Sequence, residues 1–179
     1  MTYTIPKTWA AGAILTASEM NTYVRDNTLA LVDANPLIIP SARVYNDANI
    51  SIPHNVATAL TFNSERWDTD TIHSTTTNTG RLTCQTVGLY FISGHVQFPA
   101  GSNVASIQIR LNGTTYIARN NDPQTSSSAR EFSVSTCYSL AAGNYVELLA
   151  YQNSGGALNV LYAGNYSPEF GMTYLGKVA

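Results

Sequence analysis

The sequence predicts an all-β protein: an antiparallel sandwich of about ten short strands, preceded by an N-terminal arm and one α-helix. Three observations carry this reading. From residue 42 onward, short runs rich in Val, Ile, Thr, Tyr and Phe alternate with turn residues. Asn112-Gly113 stands between Ile107-x-Ile109-x-Leu111 and Thr115-x-Ile117, a strong hairpin signal because both turn positions need positive φ. No strand–helix–strand alternation is visible, which argues against a parallel sheet.

The elements follow in chain order. Residues 1–16 read as an extended, partly apolar arm with Trp9, Ile14 and Leu15 as its large apolar groups. Thr16-Ala17-Ser18-Glu19 is a capping box and opens a helix expected from Ala17 to about Val32, where Asn35-Pro36 stops it. Met20, Val24, Asn27 and Leu31 recur on that helix at coiled-coil spacing, with Asn27 the polar member. So short a stripe is not stable alone; it packs on its own domain or around a symmetry axis. The segment Leu37-Ile38-Ile39-Pro40 closes an N-terminal region of residues 1–40, and residues 41–179 form the β domain. Strands are expected at 42–46, 58–62, 82–86, 89–98, 104–111, 114–119, 130–139, 145–152, 157–163 and 169–178. Residues 120–129 read as an exposed polar loop.

Composition limits function. The chain has 179 residues, of which 11% are charged, and a net charge of −2 with nine Lys and Arg, so no basic face for nucleic acid is expected. No apolar run nears the roughly 18 residues of a membrane span, and the first residues lack the pattern of a signal peptide. Cys84 and Cys137 lie apart in strand-like runs and are expected to be buried free thiols; a disulfide would require neighbouring strands.

Candidate chemistry is sparse. Glu65, Asp68, Asp70 and His73 form the one local cluster; oxygen ligands there would suit calcium, but no cofactor is expected. The plainer reading has Asp68 and Asp70 capping turns and His73 packed or solvated. Trp67 beside Asp68 would suit a sugar, which makes Trp67, Asp68, Asp70 and His73 the candidate ligand residues. His95 is expected to be a satisfied core or interface residue. No nucleophile motif, zinc motif or phosphate loop is present, so an enzyme is not expected.

Four ordered segments resemble the C1q/TNF-like jelly roll: Gly88-x-Tyr90-x-Ile92-x-x-His95, Ile107-x-Ile109-x-Leu111-Asn112-Gly113, Leu140-x-x-Gly143-Asn144-x-Val146-x-Leu148 and Phe170-Gly171-x-x-Tyr174-Leu175. Ile92 stands where that family has Phe, and Asn144 where it has Asp. The resemblance covers roughly residues 42–178 and implies a homotrimer, for which Tyr90, Tyr138, Tyr162 and Tyr174 are the interface candidates. Trp9-x-x-Gly12-x-Ile14-Leu15-Thr16-Ala17-x-x-Met20-Asn21 is similar to a segment that opens many tailed-phage virion proteins. Arg66-Trp67-Asp68-Thr69-Asp70-x-x-His73-Ser74 is similar to a stretch in phage and bacterial C1q-like proteins.

Together these imply a non-enzymatic trimeric virion protein, made in the host cytoplasm. Trp9, Ile14 and Leu15 would anchor it to other virion proteins, and Met20, Val24 and Leu31 would bundle its helices. Its head would sit on the particle surface, at a tail or fibre tip in contact with a host glycan in preference to a capsid decoration site. The competing reading is a soluble or secreted glycan-binding module with no virion role.

Overall fold

The computed structural model describes residues 4–5, 7–28, 39–100, 104–122 and 127–178. The chain divides into two units, Met1–Ile38 and Ile39–Ala179, so the expected boundary at residue 40 falls just inside the second.

In the first unit the capping box forms as the sequence demands. Thr16 Oγ1 accepts the Glu19 backbone N–H at 3.2 Å, and Glu19 Oε2 accepts the Thr16 N–H at 3.1 Å. The α-helix Ala17–Met20 then widens into a π-helical turn, Asn21–Asp26. Residues 29–32 of the expected helix, Leu31 among them, lie outside the described residues.

The second unit is a two-layer antiparallel sandwich. Its strands are β1 Ser41–Tyr45, β2 Ile50–Ile52, β3 Thr58–Ala59, β4 Ser64–Asp68, β5 Arg81–Thr83, β6 Gly88–Phe98, β7 Ala105–Leu111, β8 Thr115–Asp122, β9 Arg130–Leu140, β10 Tyr145–Gln152, β11 Leu158–Val160 and β12 Glu169–Gly176. The front sheet has the order β4-β1-β12-β6-β9, and the back sheet β3-β10-β7-β8 with β5 also on β10. A small β11-β2 ladder lies beside them.

Period-two alternation builds the core. Tyr90, Ile92, Val96 and Phe98 of β6, Phe132 and Val134 of β9, and Phe170 and Met172 of β12 point inward; Ile107, Ile109, Val146 and Leu148 come from the back sheet. Phe62 stacks on Phe170 at 5.9 Å, and Phe98 meets Phe132 edge-on at 5.6 Å. At Gly94 the layers press close: a Cβ there would lie 2.5 Å from Leu148 Cδ1. The expected hairpin joins β7 to β8, with φ of 49° at Asn112 and 71° at Gly113.

β2 and β4 fall outside the strands expected from the sequence. β2 is only three residues, Ile50-Ser51-Ile52, too short for its alternation to signal a strand. Ser64-Glu65-Arg66-Trp67-Asp68 has Trp67 as its one apolar residue and becomes a strand because it lies at the sheet edge beside β1.

Candidate functional site

The site is the outer face of the front sheet. If Tyr90, Ile92 and Val96 face the core, then Phe91, Ser93 and His95 must face out. Register carries this face across the sheet in rows. Trp67, Arg43, Gly171, Ser93 and Ser135 are successive partners in one row. Thr173, Phe91 and Cys137 make the next, and Tyr45, Glu169, His95 and Ser133 the row on the other side. That first row turns small at Gly171, Ser93 and Ser135, so the face is hollowed there. The hollow has a volume of about 560 Å³, with Ser93, Gly171 and Ser135 lining it and Trp67, Phe91 and Tyr166 among its larger side chains. Phe91 and Trp67 are 42% and 45% exposed, which leaves large apolar groups uncovered around a cavity.

One end of this face is locked by charge. Glu169 is buried, and its carboxylate accepts from Arg43 Nε and from Arg66 Nη2, the latter at 3.0 Å. The Arg66 guanidinium also lies 3.8 Å from the centre of the Tyr45 ring. Three consecutive carbonyls of the loop before β12 are held by the same region: Gly164 O by Arg66 Nη2 at 3.0 Å, Asn165 O by Arg43 Nη2 at 3.2 Å, and Tyr166 O by His95 Nδ1 at 2.8 Å. The loop is therefore fixed from β4, β1 and β6, and presents Tyr162 and Tyr166 with rings close to half exposed.

The interface tyrosines need correction. Tyr90, Tyr138 and Tyr174 share the parity that points inward. Tyr90 is wholly buried, its hydroxyl donates to Thr86 O at 2.6 Å, and it packs edge-on against Tyr174 at 5.5 Å. Burial pushes the Tyr90 hydroxyl well above the usual tyrosine range. Tyr138 and Tyr174 pack against the same core. Only Tyr162 of the four is exposed. The residues that occupy the outer face are Phe91, Cys137, Thr173 and Leu175, available from the same alternating strands read in the opposite phase.

Cys84 is buried as expected, and burial raises its thiol above the ordinary value. Cys137 is exposed on the front face, against expectation, because it lies one residue out of phase with Thr136 and Tyr138. Both are free.

The acidic cluster is taken up by the fold. Asp68 accepts the Asp70 N–H at 3.0 Å and the His73 N–H at 2.7 Å, and Asp70 accepts the Thr86 hydroxyl at 2.9 Å. The His73 ring is buried between Glu65 Oε1 at 2.8 Å and Thr79 O at 3.1 Å. Among the described residues no three such side chains gather in an arrangement that could hold a metal ion. Trp67 stands apart from the rest of this cluster, on the front face, with its indole N–H donated to Ser41 Oγ at 3.2 Å.

In the first unit, Ile14, Leu15, Met20 and Val24 are exposed. Trp9, expected as an anchor, is also exposed, at 39%, while its ring lies edge-on to Tyr23 at 6.0 Å.

The sandwich has a TNF/C1q-like jelly-roll fold. Solved structures similar to it are murine APRIL (TM-score 0.60, 11% identity, covering 76% of this chain and 99% of that one) and Eiger TNF from S. frugiperda (0.55, 13%, 79% and 95%). The globular domain of zebrafish complement 1qA protein is also similar (0.52, 15%, 78% and 99%). No protein-family model matches the sequence. No curated protein matches it either.

Proposed function

We propose that the chain is a non-enzymatic, homotrimeric structural protein of a tailed-phage virion. Its N-terminal unit attaches it, and its jelly-roll head is displayed on the particle, at a tail or fibre tip in contact with the host surface. The single observation that carries the trimer is the front sheet's outer face. Phe91 and Trp67 are exposed there at a hollow of about 560 Å³, and a second copy would cover them. A non-enzymatic role is supported by the state of the acidic groups, since Glu169 and Glu147 are each committed to arginines and His73 is buried between two oxygens. The phage assignment is supported by the Trp9–Asn21 segment. Threefold repetition would add avidity to weak contacts at the host surface.

Sedimentation equilibrium of the full chain tests the trimer; a monomer at micromolar concentration overturns it. Mass spectrometry and gold-labelled antibody on purified particles test the virion role. Label at the tail tip is expected. Label on the capsid would move the protein to a decoration role, and particles lacking the chain would remove the virion reading altogether.

A further inference from the structure

The N-terminal unit holds an arrangement that neither its helical spacing nor its apolar composition suggests. Asn27 is the one buried residue among the described residues of that unit. Its side-chain amide meets the backbone of Thr4 reciprocally: Thr4 N–H donates to Asn27 Oδ1 at 2.9 Å, and Asn27 Nδ2 donates to Thr4 O at 2.8 Å. A primary amide has the donor and acceptor of a peptide group, so this pair reproduces one bridge of a β-ladder. Nearer the turn, Trp9 lies against Tyr23, and Lys7 Nζ pairs with Glu19 Oε1 while standing 5.1 Å from the Trp9 ring centre. Glu19, Tyr23 and Asn27 recur every four residues, so all three contacts fall along one side of the helix. The return is made by a turn in which Ala13 N–H bonds to Ala10 O at 3.1 Å and Gly12 takes a φ of 83°.

We propose that the arm is a strap, folded back antiparallel to the helix and latched by Asn27 over its Glu19–Tyr23–Asn27 side. Closure decides which apolar groups the unit shows. Trp9 and Tyr23 face each other, while Ile14, Leu15, Met20 and Val24 stay outside. Glu19 links the strap to the helix, because one carboxylate oxygen closes the capping box and the other holds Lys7. The latch consists of polar and edge-on contacts, and Asn27 is the one buried side chain among the described residues of the unit, so the strap can open at small cost. The strap stands independently of the trimer and the virion reading; only its consequence for attachment rests on them.

Hydrogen exchange on the full chain, with and without Asn27→Ala, tests the latch. The Thr4 amide is expected to exchange about tenfold faster in the variant, a loss of the order one hydrogen bond supplies. Amides of β6 and β12 should not change. Asn27→Asp keeps the acceptor and loses the donor, and should fall between the two. Acrylamide quenching in a Trp67→Phe background reports Trp9 alone: partial protection is expected, lost in Asn27→Ala and in Tyr23→Ala. Thr4 exchange insensitive to Asn27, or Trp9 quenched like free indole in the parent chain, would overturn the strap. Sedimentation of the parent and Asn27→Ala chains, both with Trp67 intact, reads the trimer separately, so failure of one reading is distinguishable from failure of the other.

Discussion

The outer faces of the two sheets use the same alternation to opposite ends. On the back sheet the outward residues satisfy each other. Glu147 of β10 is held by Arg110 at 2.9 Å and lies 3.7 Å from Arg81, whose guanidinium stands 4.0 Å from the Tyr145 ring centre. Beside it Gln108 bonds to Ser106 at 3.3 Å, and Leu149 is buried. On the front sheet, polar satisfaction stops at the Glu169 end, and beyond it Ser93, Gly171 and Ser135 leave a hollow beside exposed Phe91. The back-sheet face pairs its charged groups within the chain, with Tyr116 the large side chain left 54% exposed there, whereas the front face leaves a hollow uncovered. That asymmetry, more than any single motif, directs attention to association with another copy.

The most direct way to break this comparison is a charge on each face. Phe91→Glu is expected to convert the proposed trimer to monomer in sedimentation equilibrium, because it buries an unpaired carboxylate among apolar groups. Arg119→Glu on the exposed edge of the back sheet should leave the assembly unchanged. Equal effects from both variants would remove the distinction between the faces.

A second test sharpens it at the level of stability. Glu169 and Glu147 are both nearly buried carboxylates between two arginines. Neutralising either leaves its arginines without a counter-charge, at a cost of about 2–4 kcal/mol in thermal or urea unfolding. The two losses should be similar in a monomeric Phe91→Glu background. In the parent chain Glu169→Gln should also weaken association, since Glu169 organises Arg43 and Arg66 and through them the loop at the edge of the hollow. Glu147→Gln should not.

Much of this architecture was legible in the residues. The Asn112-Gly113 hairpin, the capping box at Thr16 and the long alternating strands β6, β9 and β10 follow from local chemistry, because each is specified within a few residues. β2 and β4 are different: β2 is three residues long and β4 has no apolar alternation, so tertiary pairing makes them strands. The tyrosine assignment failed for a different reason. Alternation separates Tyr90 from Phe91, but it does not say which of the two sets faces the other sheet, and here both sets contain aromatics. Only the partner sheet decides: Leu148 pressing on Gly94 fixes the even-numbered side of β6 as the inner one. Asp68 and His73 show a third limit. The residue types of a binding loop are also those of a capped turn, and spacing alone does not separate the two.

The gentlest test perturbs neither face and compares the two cysteines. Cys84 sits in the core with its thiol directed to Thr86 O at 3.2 Å, and burial raises its pKa, so the reactive thiolate is disfavoured. It should stay unlabelled by a thiol reagent at neutral pH until the protein unfolds. Raising the pH enough to label a free thiol should label it only slowly, because the folded-state value lies above the ordinary one. Cys137 lies in the row of Phe91 and Thr173. In the monomeric Phe91→Glu variant it should label at the rate of an exposed thiol. In the parent chain it should be protected in proportion to the fraction assembled, and the protection should fade on dilution. Labelling of Cys137 at the same rate in both proteins would mean that the front face is open to solvent in the assembled state, and the copies would then have to meet elsewhere on the molecule.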